Sequence, residues 1–200
     1  YPATDNPAYE WLSPGGTEGC AKCHGTSILP QWENHLHSQA ATNVLVRTLY
    51  SGTDVQGRSE DRLSYRHDFP GIPGDCAACH APGAAVDHPY GVFLDRVTGA
   101  NTAGVHCDFC HKVFEARIPA PGMPGVLSIE LRRPSGTGRN IFFGPFDDSP
   151  RENDSYLPLQ SRSRFCAPCH SHHSWGVPVY SSFPEWFESP YRSRGVECQN

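Results

Sequence analysis

Eight of the nine cysteines fall into pairs at one spacing, and a histidine follows each pair. The four runs are Cys20-Ala-Lys-Cys23-His24, Cys76-Ala-Ala-Cys79-His80, Cys107-Asp-Phe-Cys110-His111 and Cys166-Ala-Pro-Cys169-His170. The chemistry this spacing suits is covalent attachment of haem. Two thiols on one short turn reach the two vinyl groups of a haem as thioethers. The next residue brings an imidazole nitrogen to the iron as proximal ligand. Zinc also takes paired cysteines, but it does not need a histidine after every second one. Redox dithiols use C-x-x-C once, beside a βαβ pattern absent here. A disulfide framework uses varied spacings. Four complete motifs out of four pairs therefore predict four haem c groups.

The ninth cysteine extends the pattern. The first cysteines of successive motifs lie 56, 31 and 59 residues apart, and Cys198 follows Cys166 by 32. Long and short steps alternate, as duplication of a two-haem unit would give. Gly104-Val105-His106-Cys107 also matches Gly195-Val196-Glu197-Cys198. The expectation is one multihaem domain, 1–200, built of repeated units over about 66–115 and 156–200. Cys198 then opens a fifth haem motif that continues past Asn200. The competing reading is a leftover thiol that pairs between chains.

Eleven histidines are present; His24, His80, His111 and His170 are the proximal candidates. The excess beside four haems points to distal ligation of iron by imidazole, which keeps haem low-spin and suits electron transfer. The order of preference is His37, His67 and His106, then His173, His172 and His88, with His35 last. The lone methionine, Met123, sits in a Pro-Gly-Met-Pro-Gly loop and is a poor ligand candidate.

Elements that position these groups must be short. Leu, Ile, Val and Phe together supply only 38 of 200 residues, while Gly and Pro supply another 38. That apolar share lies at the edge of what a globular core needs. The chain therefore folds around something that provides the missing apolar surface. Gln31–Tyr50 is the best helix candidate, with Trp32, Leu36 and Ala40 on one face. Leu127-Ser128-Ile129-Glu130-Leu131 alternates like a strand, and 141–144 is its expected hairpin partner. Trp186 and Tyr191 follow Pro184, which suits the first turn of a short helix. The predicted fold class is mostly irregular, with short α-helices and one small β-hairpin, organised around stacked c-type haems.

The run from Cys20 through Trp32 to His37 resembles the opening of multihaem cytochromes c related to the tetrahaem carriers of nitrifying bacteria. Hydroxylamine oxidoreductase and pentahaem nitrite reductase share that wider superfamily. Residues 104–112 resemble it too, as does the stretch from Phe165-Cys166 to Cys198 with Glu185-Trp186, Ser189-Pro190-Tyr191 and Gly195-Val196. The resemblance implies stacked haem pairs, mostly bis-His ligation, and a distal role for the histidine five residues after the tryptophan, His37. It also implies that the last stretch continues through Cys-x-x-Cys-His. No motif here ends in Lys, as the nitrite reductase haem requires, and no counterpart of the hydroxylamine oxidoreductase tyrosine cross-link is evident.

The expected function is electron transfer, with redox partner proteins or neighbouring copies of the chain as partners. The alternative is the electron-input part of an oxidoreductase acting on a small nitrogen or sulfur compound. A net charge of −5 with scattered basic residues argues against nucleic acid. No run approaches the roughly 20 apolar residues of a membrane span. The chain opens without a basic and apolar leader. Thioether attachment takes place outside the cytoplasmic membrane, so a periplasmic or extracellular location is expected for an exported, processed form.

Overall fold

Proline and glycine at 19 positions each break the backbone often enough that the longest described helix has eight residues. The computed structural model describes residues 20–54, 56–58, 63–133, 141–147, 154–174 and 176–200. The side chain of Cys23 lies outside that set. The chain divides into two compact units, Tyr1–Phe109 and Cys110–Asn200.

The first unit carries α1 (Cys20–His24), α2 (Ile28–Glu33), α3 (Val44–Ser51), α4 (Tyr65–Asp68), α5 (Cys76–His80) and α6 (Pro82–Ala85). Two 3₁₀ turns follow, Leu94–Arg96 and Gly99–Ala103, and α7 (Cys107–Cys110) begins at its end. The continuous helix expected over 31–50 is not formed. Polar side chains between α2 and α3 take the backbone groups that a helix would need. Asn34 Nδ2 donates to Pro30 O at 2.8 Å, and Ser38 Oγ donates to His35 O at 2.7 Å. Asn43 then caps a new start by accepting from Val46 N, and Gly52 at φ 73° ends it.

The core of this unit is built from small residues. Ala77, Ala78, Ala81 and Ala85 are fully buried along α5 and α6, which lets the two helices pack at close range. Tyr50 is buried, stacks on Tyr65 with centroids 5.7 Å apart, and donates its hydroxyl to Pro73 O at 2.8 Å. Leu94 completes the cluster.

Among the described residues, the second unit holds three two-stranded sheets. Strand β1 (Val113–Ala116) pairs antiparallel with β2 (Ile129–Leu131). Strand β3 (Phe142–Gly144) pairs parallel with β4 (Asp154–Tyr156). Strand β5 (His172–Ser174) forms a hairpin with β6 (Val177–Tyr180). The expected pairing of 127–131 with 141–144 is therefore replaced by two separate ladders. Leu127 and Ser128 lie in a 3₁₀ turn (Gly125–Ser128), held by Ser128 Oγ donating to Met123 O at 2.6 Å. Beyond β2, Arg132 N donates to Lys112 O at 2.9 Å, while Phe143 N donates to His111 O at 2.8 Å. Helices α8 (Ala167–His170), α9 (Ser182–Glu188) and α10 (Pro190–Ser193) complete the unit. The proline expected to start a short helix, Pro184, lies in the first turn of α9.

Each unit contains the same tryptophan-anchored turn. In the first, Trp32 Nε1 donates to Val105 O at 2.9 Å, and Val105 N donates to His37 O at 2.9 Å. In the second, Trp186 Nε1 donates to Val196 O at 2.8 Å, and Val196 N donates to Tyr191 O at 3.0 Å. Both valines follow a positive-φ glycine, Gly104 at 62° and Gly195 at 72°. The partners are 73 residues apart in one copy and 10 in the other.

Candidate haem-attachment sites

A C-x-x-C-H run fits on a helical turn because residues three apart face the same way. Motifs one and two lie wholly on α1 and α5. The third occupies α7 with His111 just beyond, and the fourth spans the start of α8 and its last residue. None of the described motif cysteines, Cys20, Cys76, Cys79, Cys107, Cys110, Cys166 and Cys169, is in a disulfide, and neither is Cys198.

Four of the thiols are held protonated by their surroundings. In the first unit, a hydrogen bond with Cys107 and then burial push the Cys20 thiol well above the usual range. Burial and the neighbouring Asp75 raise Cys76 to about 11. In the second unit, burial raises Cys110 to about 12, helped by Cys169 and Cys166. Burial and then Cys198 raise Cys166 to about 12. Thiols of this kind are not activated nucleophiles, which sets them apart from redox-catalytic dithiols. Thiols of different motifs influence one another within each unit: Cys20 is hydrogen-bonded with Cys107, and Cys110 is within electrostatic reach of Cys169 and Cys166.

Among the described residues no three His, Cys, Asp or Glu side chains converge as a zinc centre requires. Each motif instead offers two thiols and one imidazole, the donor set of haem c. The apolar surface suits the same group. Eight of the fourteen buried apolar residues described are alanines, while Leu36, Leu45, Leu49, Leu63 and Ile72 are exposed. A flat apolar macrocycle provides the surface on which side chains of this kind pack.

Ring orientation separates the histidines. A ligand imidazole commonly donates Nδ1–H to an oxygen, which leaves the Nε2 lone pair for the metal. His111 has this arrangement, with Nδ1 2.7 Å from Phe143 O, a carbonyl that can only accept. The sequence carried no signal for Phe143 in this supporting role. His67 is similar, with Nδ1 2.8 Å from Asp68 Oδ1 on the exposed α4. His35 and His106 are arranged the other way. His35 Nδ1 accepts from His37 N at 3.2 Å, and His106 Nδ1 accepts from Phe109 N at 3.1 Å. In a neutral ring this places the proton on Nε2. His106 is also buried at 1% exposure, with Nε2 against Gly83 in α6.

His37 is exposed beside His35, their ring centroids 4.7 Å apart. His88 is exposed in the turn after α6. His172 and His173 are adjacent on β5, and His172 Nε2 lies 2.9 Å from Ser174 Oγ. The proximal candidates differ in exposure. His24 is exposed and His80 half-buried, whereas His170 packs edge-on against Tyr180 at 4.9 Å and is held below the usual imidazole range by burial.

Residues 19–112 match the family model described as cytochrome c554 and c-prime. The fold is similar to that of a penta-heme cytochrome c552 from Thermochromatium tepidum, with a TM-score of 0.63 and 23% identity. That likeness covers 90% of this chain and 51% of the other, so the chain spans about half the length of that relative. No curated protein matches the chain. No described helix is long and apolar enough to cross a membrane. With four attachment motifs, the family match over residues 19–112 and the shared fold, the chain is similar to multihaem cytochromes c, and its cofactor is haem c.

Proposed function

We propose that the chain relays electrons through four haems, one on each C-x-x-C-H motif. Cys20 and Cys23, Cys76 and Cys79, Cys107 and Cys110, and Cys166 and Cys169 form the thioethers. His24, His80, His111 and His170 are the proximal ligands. When bound, haem c supplies the one-electron couple; the protein sets its position, its ligands and its access to water. The observation that carries this reading is that thiols of different motifs are neighbours: Cys20 is hydrogen-bonded with Cys107, and Cys110 lies within electrostatic reach of Cys169 and Cys166. Haems held at such neighbouring points would be placed to pass electrons from one to the next.

His67 and His37 are the leading distal ligands, the first because Asp68 orients its ring. His173, His172 and His88 follow. His106 ranks below them, because its Nδ1 accepts from the backbone and its Nε2 faces Gly83. Attachment by thioethers places the working protein outside the cytoplasmic membrane. Its partners are redox proteins or further copies of itself, reached through haem edges at the surface.

Spectropotentiometric titration of the haem-loaded protein tests the reading. Stepwise reversible reduction of every haem, with reoxidation by an added c-type carrier, is expected. Haems that are held but never exchange electrons with electrode or carrier would reduce them to a structural role.

A further inference from the structure

The two tryptophan-anchored turns correspond residue by residue over their anchoring contacts, and their fifth residues differ. A proline stands two places before each tryptophan, Pro30 before Trp32 and Pro184 before Trp186. The tryptophan carbonyl accepts from the residue three places on, His35 N at 2.9 Å and Ser189 N at 3.1 Å. The fifth residue is His37 in one turn and Tyr191 in the other. Both accept at their carbonyl from valine, and both accept again three places on, from Ala40 N at 3.3 Å and Arg194 N at 3.1 Å. The attachment cysteines correspond too. Cys20 hydrogen-bonds Cys107 in one unit, and Cys166 hydrogen-bonds Cys198 in the other.

The matching of turns differs from the one that cysteine spacing suggests. In this alignment Cys166 takes the place of Cys20, and the segment between His37 and Val105, which carries the second motif, has no counterpart between Tyr191 and Val196. The side chains at the fifth position are both exposed, Tyr191 at 58%. Both are thus exposed side chains on an equivalently placed backbone, His37 with its ring beside that of His35.

We propose that Tyr191 takes, in the second unit, the haem-facing position that His37 takes in the first, so that one haem there has an exchangeable sixth coordination position open to small diatomic ligands. The inference rests on His37 being a distal ligand, as proposed above. Imidazole is a strong ligand to both oxidation states of haem iron and saturates it. A phenol binds only as phenolate, and then chiefly to ferric iron, as in catalase. On reduction the iron opposite Tyr191 is left with a site that carbon monoxide can occupy. The second unit would thus combine electron supply from neighbouring haems with a binding position for a small diatomic ligand.

The test uses the full haem-loaded chain, with carbon monoxide as the probe of the reduced protein and electron paramagnetic resonance on the oxidised form. In the unaltered protein one haem is expected to bind carbon monoxide. Tyr191→His should abolish that binding and add one low-spin bis-imidazole signal. His37→Tyr should create a second haem that binds carbon monoxide. The proposal is overturned if Tyr191→His leaves the stoichiometry unchanged, or if no haem of the unaltered protein binds carbon monoxide. Should His37→Tyr alone fail to open a haem, His37 is not a ligand and the premise falls with it. Tyr191→Phe guards against misfolding: it should retain carbon monoxide binding while losing any phenolate charge-transfer band. Haem content by mass, measured on every variant, separates a failure of this inference from a failure of haem attachment itself.

Discussion

Gly104→Ala should destabilise the first unit far more than Gly195→Ala destabilises the second. Gly104 has φ 62° and ψ −119°, a region that side chains occupy at a cost on the order of 1–3 kcal/mol. A Cβ there would lie 2.6 Å from His37 O and 2.9 Å from both N and Cβ of Ala40. Backbone atoms cannot swing aside, so the overlap adds a further ~1–3 kcal/mol. The expected loss is about 4 kcal/mol, a large part of the 5–15 kcal/mol typical of a domain. Gly195 has a similar φ of 72°, but a Cβ there meets nothing within 4 Å. Its substitution costs roughly 1–2 kcal/mol for the left-handed backbone. Reduced freedom of the unfolded chain returns about 0.4–1 kcal/mol of that. Urea unfolding of the haem-loaded variants, followed by far-ultraviolet circular dichroism, measures both. Gly104→Ala should also disturb the low-spin spectrum, because the displaced atom is the carbonyl of His37. Equal unfolding midpoints for the two variants would refute the reasoning.

Four further outcomes follow from single contacts. Trp32→Phe removes the donor to the Val105 carbonyl and should cost about 1–3 kcal/mol; Trp186→Phe, at a more exposed site, should cost less in the same urea assay. Burial raises Tyr50 to about 12, so the unfolded chain loses this proton first as pH rises past the ordinary value of 10. Stability should then fall by up to about 1.4 kcal/mol per pH unit until the folded form also ionises, and Tyr50→Phe should remove that alkaline slope in thermal melts. Ser163→Ala takes away the oxygen that accepts from Cys198 N at 2.8 Å and should destabilise the second unit by about 1 kcal/mol, read by urea titration. His67→Gly should turn one haem high-spin, and added imidazole should restore its low-spin spectrum; an unchanged spectrum would remove His67 from the ligands.

What could be read in the sequence and what could not divide along physical lines. Haem attachment was legible because thiols and imidazole must share one turn, and that spacing survives in any fold. The thin core was legible as well, and it appears as buried alanines on α5 and α6 with leucines left outside. The helix over 31–50 was misread because apolar periodicity does not register competition from Asn34, Ser38 and Asn43 for the backbone. The strand partners of β2 and β3 depend on contacts far along the chain, such as Arg132 N to Lys112 O and Phe143 N to His111 O, which local alternation does not encode. Histidine ranking met the same limit. His106 stood high by position, and only the structure shows that its Nδ1 accepts from Phe109 N while its Nε2 lies close to Gly83. The correspondence of His37 with Tyr191 was hidden because the two turns close over very different lengths of chain.

The most direct measurement is the intact mass of the chain, matured with haem and then denatured in acid. The account predicts four haems that stay attached, and the loss of one haem when both cysteines of any single motif are changed to alanine. Haem released on denaturation, or fewer than four haems retained by the unaltered chain, would contradict it.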